Sequence, residues 1–162
     1  MKWSFFHVLV YLHVVGAVIW VGGILFLGFV AVPATRSLPP DKRGALLDAL
    51  GRRFRALGYA VLVLLVVTGT LQAGARGATV ASVLDGSFFR TGFGAALGIK
   101  LIFFALMVVV SALHDFYVGP ASARALAAGG SDEKLRRTAS WLARITALLA
   151  LLVVLYATRL VR

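Results

Sequence analysis

The sequence predicts an all-α integral membrane protein, a four-helix bundle with both termini outside. Three observations predict it. Of the 162 residues, 60% are hydrophobic and only 14% are charged. The apolar residues fall into four runs, each close to the roughly 20 residues needed to cross a hydrocarbon core about 30 Å thick. The basic residues collect between and beside these runs, where Lys and Arg set topology and meet lipid headgroups. Backbone amides in lipid must be satisfied within their own segment, so such runs fold as helices. The expected spans are about 5–32, 56–73, 95–118 and 141–160 in a single transmembrane domain, which leaves no room for a folded domain outside the bilayer.

The first span carries no Asp, Glu, Lys or Arg from Trp3 to Thr35. A secretory signal has an apolar core of only about 7–15 residues; this run is twice that, so it reads as a retained helix. Pro33, Pro39 and Pro40 punctuate the loop that follows, and Asp41 to Arg55 reads as a separate basic amphipathic or interfacial helix. After the second span, the Gly-, Ser- and Thr-bearing stretch from Gly74 to Gly94 reads as a loop with a short interfacial segment at Val80–Leu84. The third span contains a single charge, Lys100, and Gly119-Pro120 is expected to end it, since proline breaks the hydrogen-bond ladder. Ala121 to Ser140 reads as a polar connection, and the fourth span opens with Arg144 in its first turn.

Charge gives the expected orientation. Arg36, Lys42, Arg43, Arg52, Arg53, Arg55, Arg124, Lys134, Arg136, Arg137 and Arg144 lie on the side of the first and third connections. Lys2, Arg76, Arg90, Arg159 and Arg162 lie on the other. Eleven against five puts the connections in the cytoplasm of a bacterial-type inner membrane. The net charge of +11 therefore reads as topology and lipid contact, not as a nucleic-acid interface. The chain has no cysteine and two methionines, which excludes disulfides, thiolate metal sites and Fe–S clusters and argues against a methionine-rich copper path.

Ionisable groups inside a span are costly and mark candidate sites. His7, His13, Lys100, His114, Asp115 and Arg144 qualify. His7 lies near the outer interface and His13 about 9 Å deeper, in the same half of the membrane as Lys100. At 100° per residue His7 and His13 point about 120° apart. His13 shares a face with Gly16, Trp20 and Gly23, and Lys100 shares one with Phe104, Met107, Ser111 and His114. An imidazole beside small residues suits haem iron, copper or zinc, and bundles place such cofactors between facing helices. His114, Asp115 and Arg144, with Arg55 nearby, form a second polar group at the cytoplasmic interface, read as a structural knot, a lipid contact or a binding site.

The segment Leu12-His13-Val14-Val15-Gly16-Ala17-Val18-Ile19-Trp20-Val21-Gly22-Gly23 resembles the first-helix signature of two related groups, the copper-resistance D (CopD) membrane proteins and the HemJ-type protoporphyrinogen oxidases. Thr91-Gly92-Phe93-Gly94 followed by Lys100-Leu101 is similar to the CopD pattern of a turn opening a helix with an early Lys. Arg52-Arg53-Phe54 and Thr68-Gly69 fit the same superfamily, although Leu50-Gly51 stand where HemJ-type proteins usually carry an acidic residue. The resemblance implies a four-helix protein that binds haem b, with His13 and Lys100 as its functional residues.

The leading expectation is a haem b-binding membrane protein acting in electron transfer or oxidation, including a protoporphyrinogen oxidase-like activity. His13 is the axial ligand and His7 the reserve ligand, with Trp20 on the cofactor face. Lys100 is the opposite ligand or a propionate partner, and Arg55 is a further propionate partner. The alternatives are a copper-binding or copper-transport protein using His7, His13 and Met107, and a cofactor-free accessory subunit of a membrane complex. The expected partners are the bilayer, a second copy or larger complex, and a redox partner.

Overall fold

The computed structural model describes residues 4–129 and 132–160. Lys2 and Arg162, counted for orientation, and Gly130 and Ser131 of the third connection lie outside the described residues. Among the described residues every regular element is helical, and four helices are long and apolar enough to span a membrane. They are α1 (Phe5–Ser37), α2 (Pro40–Ala75), α4 (Gly92–Ala127) and α5 (Glu133–Thr158), with a five-residue helix, α3 (Val80–Leu84), between α2 and α4. The protein is thus a multi-pass membrane protein.

The expected spans lie inside longer helices. Asp41–Arg55 is not a separate interfacial helix; it is the first part of α2, whose 36 residues reach about 54 Å. A bilayer core takes about 30 Å of that, so four turns of helix continue past the apolar span. Pro40 opens α2 at a first-turn position, where a missing amide costs nothing. Only Leu38 and Pro39 separate it from α1, far less than the expected loop. α5 starts at Glu133, capped by Asp132, whose carboxylate accepts the Leu135 N–H at 3.1 Å. Ala121–Ser140 is therefore mostly helix rather than a polar connection.

Two prolines expected to end helices do not. Pro33 lies within α1 and Pro120 within α4. A proline ring in a straight α-helix collides with the carbonyl four residues earlier and removes one donor. Each proline here follows a π-turn: Leu27–Ala31 before Pro33 and His114–Val118 before Pro120. In each, the amide of the residue before the proline reaches back five positions, Val32 to the Leu27 carbonyl and Gly119 to the His114 carbonyl. The wider turn makes room for the ring, and the helix continues.

The remaining boundaries follow local chemistry. α2 ends in a Schellman turn: the Ala78 N–H meets the Ala73 carbonyl at 3.1 Å, and Gly77 adopts a φ of 91° that an L side chain rarely takes. The segment expected at Val80–Leu84 is α3, opened by a capping box between Thr79 and Ser82. In the turn after it, the Ser87 side chain and N–H bond to the Asp85 carboxyl and hold it below its usual pKa. Thr91 caps α4 by accepting the Gly94 N–H at 2.9 Å.

α1 packs along α2, and α4 packs along α5, giving two antiparallel hairpins. They meet backbone to backbone at the end carrying the basic connections, where the start of α2 crosses the last turns of α4. Gly44 makes that crossing possible: a Cβ there would stand 2.5 Å from the Ala127 nitrogen and 2.7 Å from the Ala123 carbonyl. At mid-length all four long helices contribute to one core of Trp20, Val61, Leu62, Met107 and Ala150.

Candidate functional site

The face of α1 that bears His13 packs along α2. Gly16 meets the side chain of Leu65, Trp20 lies over Gly58, and Gly23 meets the ring of Phe54. Small residues on one helix receive large ones from the other, which lets the backbones close up. Trp20 is 4% exposed and Met107 2%, and these two bring α1 and α4 into the core. His13 precedes Trp20 by seven residues, and Lys100 precedes Met107 by seven. Both therefore stand about 10.5 Å beyond the packed layer, on the side of the termini.

His13 is held in a defined tautomer. Its Nδ1 lies 2.8 Å from Thr68 Oγ1, and the Thr68 hydroxyl lies 2.7 Å from the Leu64 carbonyl. The carbonyl can only accept, so the single hydroxyl proton goes there. Thr68 Oγ1 then accepts from His13 Nδ1–H. With Nδ1 protonated, Nε2 carries the lone pair, as in ligand histidines, while the Leu65 carbonyl also bonds to this ring. The ring rests on Gly69, where a Cβ would stand 3.2 Å from its Cε1.

Lys100, on the other hairpin, is the charged group that acts electrostatically on the His13 ring. It is half-buried and forms no hydrogen bond or ion pair among the described residues. His7 is exposed near the start of α1, with its Nδ1 2.6 Å from the Ser4 hydroxyl. Among the described residues no group of three or more His, Cys, Asp or Glu side chains comes together.

The second polar group forms around the π-turn of α4, without Arg144. That guanidinium lies over its own helix's Trp141 ring at 5.3 Å and makes no hydrogen bond or ion pair with His114 or Asp115. Arg55 of α2 takes its place. Pro120 has no N–H to offer the Asp115 carbonyl, and the Gly119 N–H is spent on the His114 carbonyl. The Arg55 guanidinium donates to the Asp115 carbonyl instead and lies 5.3 Å from the Phe116 ring centre. The Asp115 carboxylate accepts from Ser111 Oγ at 3.1 Å and from His114 Nδ1 at 3.0 Å.

His13, Lys100, Arg55, His114 and Asp115 stand out in the sequence, where Ser111 is placed only on the Lys100 face, Thr68 is not paired with His13 and Tyr59 is missed. A signal was available: Tyr59 follows Arg55, and Ser111 precedes Asp115, by the four residues that stack side chains on one helix face.

Fold and site together define a multi-pass, helical membrane protein with His13, held by Thr68, two turns from its core. The model of the family described as "Domain of unknown function (DUF4149)" matches residues 15–131, and the chain belongs to that family. An Aquifex aeolicus protein described as "Uncharacterized protein" is 33% identical over 150 residues, covering 92% of this chain and 90% of the relative. No solved structure matches.

Proposed function

We propose that this protein binds haem b within the membrane and serves electron transfer or oxidation, with His13 as the axial ligand. The observation that carries the reading is the tautomer of His13. Nδ1–H is committed to Thr68, and the Nε2 lone pair is left over. A neutral imidazole with a hydrogen-bonded far nitrogen is what an iron ligand requires. The donor set fits haem better than a bare copper ion. Porphyrin supplies four nitrogens of its own, so one or two protein donors suffice. A copper site built from protein alone needs more donors than His13 and Met107 bring, and His7 points to a different face of α1.

When bound, the iron supplies one-electron redox chemistry. The chain's own residues hold and orient it. Thr68 fixes the His13 ring, Gly69 seats it, and Lys100 would offer an amine to the iron or an ammonium to a haem carboxylate. Trp20 and Met107 close the bundle beneath the site against water. Arg55 belongs to the other polar group, where its guanidinium is already engaged with Asp115 and Phe116. The CopD and HemJ-type resemblance supports the same pair of residues, and a protoporphyrinogen oxidase-like activity is the specific form it suggests.

Haemin titration of the detergent-solubilised protein tests the reading. Stoichiometric uptake that fails in His13→Ala supports it. Equal uptake by wild type and His13→Ala, or none by either, overturns it.

A further inference from the structure

At the end carrying the termini, the turn after α2, α3 and the start of α4 form the walls of an open cavity of about 360 Å³, within the size range of small-molecule sites. Its walls include Arg76, Ser82, Ser87, Phe88 and Phe93, and no acidic side chain lines it. Arg76 is its one charged group. The guanidinium is braced from two sides: it donates to the Leu160 carbonyl at 2.6 Å and lies 4.8 Å from the centre of the Phe93 ring. A guanidinium has five N–H donors in a fixed fork, and one carbonyl does not exhaust them. No carboxylate pairs with Arg76 among the described residues. The Ser87 hydroxyl reaches only the Ser82 carbonyl, at 3.5 Å, and can turn to a better acceptor. Asp85, the one acid between Arg76 and Gly94, keeps its carboxylate on the Ser87 N–H at 2.8 Å, outside the cavity walls.

α3 fixes the level at which this cavity stands. Val80 is 79% exposed and Leu84 82%, while Ser82 lies in the cavity wall. Large apolar side chains on the outside of a short helix, with the polar one turned inward, suit the boundary between acyl chains and headgroups. At that level the anion nearest to hand is a lipid phosphate. The planar fork of an arginine matches two phosphate oxygens at once, which a lysine does not.

We propose that this cavity is a phosphate-binding site, held by Arg76 and filled by the headgroup of an anionic phospholipid. A water-soluble phosphate ester offers the same chemistry to the same guanidinium. Phe93 keeps the fork from turning away, and the Ser87 hydroxyl gives a second donor. The proposal does not depend on haem, since neither His13 nor Lys100 lines the cavity.

Native mass spectrometry of the full chain in detergent, titrated in turn with phosphatidylglycerol and with glycerol phosphate, tests it. The expected result is saturable one-to-one binding of phosphatidylglycerol, weakened about tenfold or more in Arg76→Gln by loss of a charge-assisted hydrogen bond. Arg90→Gln removes an exposed base of the same connection that does not line the cavity, and is expected to leave binding unchanged. Ser87→Trp fills the cavity and leaves Arg76 in place, so it is expected to lose the ligand and keep the fold. That variant decides the matter if Arg76→Gln, which also loses the Leu160 tie, fails to fold. Binding of glycerol phosphate with the same dependence on Arg76 supports the phosphate site and makes a soluble ester an occupant. Binding weakened equally by Arg76→Gln and Arg90→Gln, binding undiminished in Ser87→Trp, or no saturable binding of either probe overturns the proposal.

Discussion

At the scale of the residue, the histidine was legible and its partner was not. An imidazole two turns from Trp20 on an apolar helix declares itself, because nothing else nearby is polar. Thr68 does not, because a threonine in an apolar helix has the carbonyl four residues back as a ready partner. Thr68 uses that carbonyl with its proton and His13 with its lone pair. Thr68→Val keeps the shape and removes the acceptor. It is expected to weaken haem binding by about 10–100-fold, the usual cost of losing the partner that orients a metal-ligating histidine. Unchanged haemin affinity in that variant would mean that the tautomer plays no part. Lys100→Met tests the other wall: an altered haem spectrum marks a ligand, and weakened affinity with an unaltered spectrum marks a carboxylate partner.

At the scale of the element, sequence located all four long helices and the short α3, and misplaced where several of them begin or end. The errors share a cause. Pro33 and Pro120 are read from sequence as terminators, but a π-turn removes the clash that makes them so. At Pro120 a side chain 60 positions away in sequence also replaces the missing donor. Such tertiary rescue leaves no local trace. It predicts a non-additive pair. Arg55→Ala strands the Asp115 carbonyl and is expected to cost about 1–3 kcal/mol. Pro120→Ala restores a main-chain donor at the same place, so the double variant should melt above the sum of the single losses. Strict additivity in thermal unfolding would show that the two groups do not serve one carbonyl. Glycine gives a second contrast within α2. Gly44→Ala drives a methyl into the backbone of α4 and is expected to cost about 1–3 kcal/mol by overpacking. Gly51→Ala meets nothing within 4 Å and is expected to gain up to about 1 kcal/mol from helix propensity.

At the scale of the whole molecule, the bundle of spans was legible because lipid leaves the backbone so few options. The division into two hairpins joined at the basic end was not, since it rests on Gly44 meeting the Ala123–Ala127 turn. The charge asymmetry predicts which side each end faces. The chain has no cysteine, so a single introduced thiol reports unambiguously. In intact cells an impermeant maleimide is expected to label Ser87→Cys, in the turn between α3 and α4, and to spare Ser37→Cys at the end of α1. The reverse pattern would invert the orientation and place His114 on the outer face.

The proposed role of His13 reads out in one spectrum. The protein is purified in detergent from cells supplied with a haem precursor, and its absorption is recorded oxidised and then reduced. The expected result is a strong Soret band that sharpens on reduction in the wild type and fades in His13→Ala. A colourless wild-type protein, folded and still unable to take up added haemin, would contradict the assignment of His13 as a haem ligand.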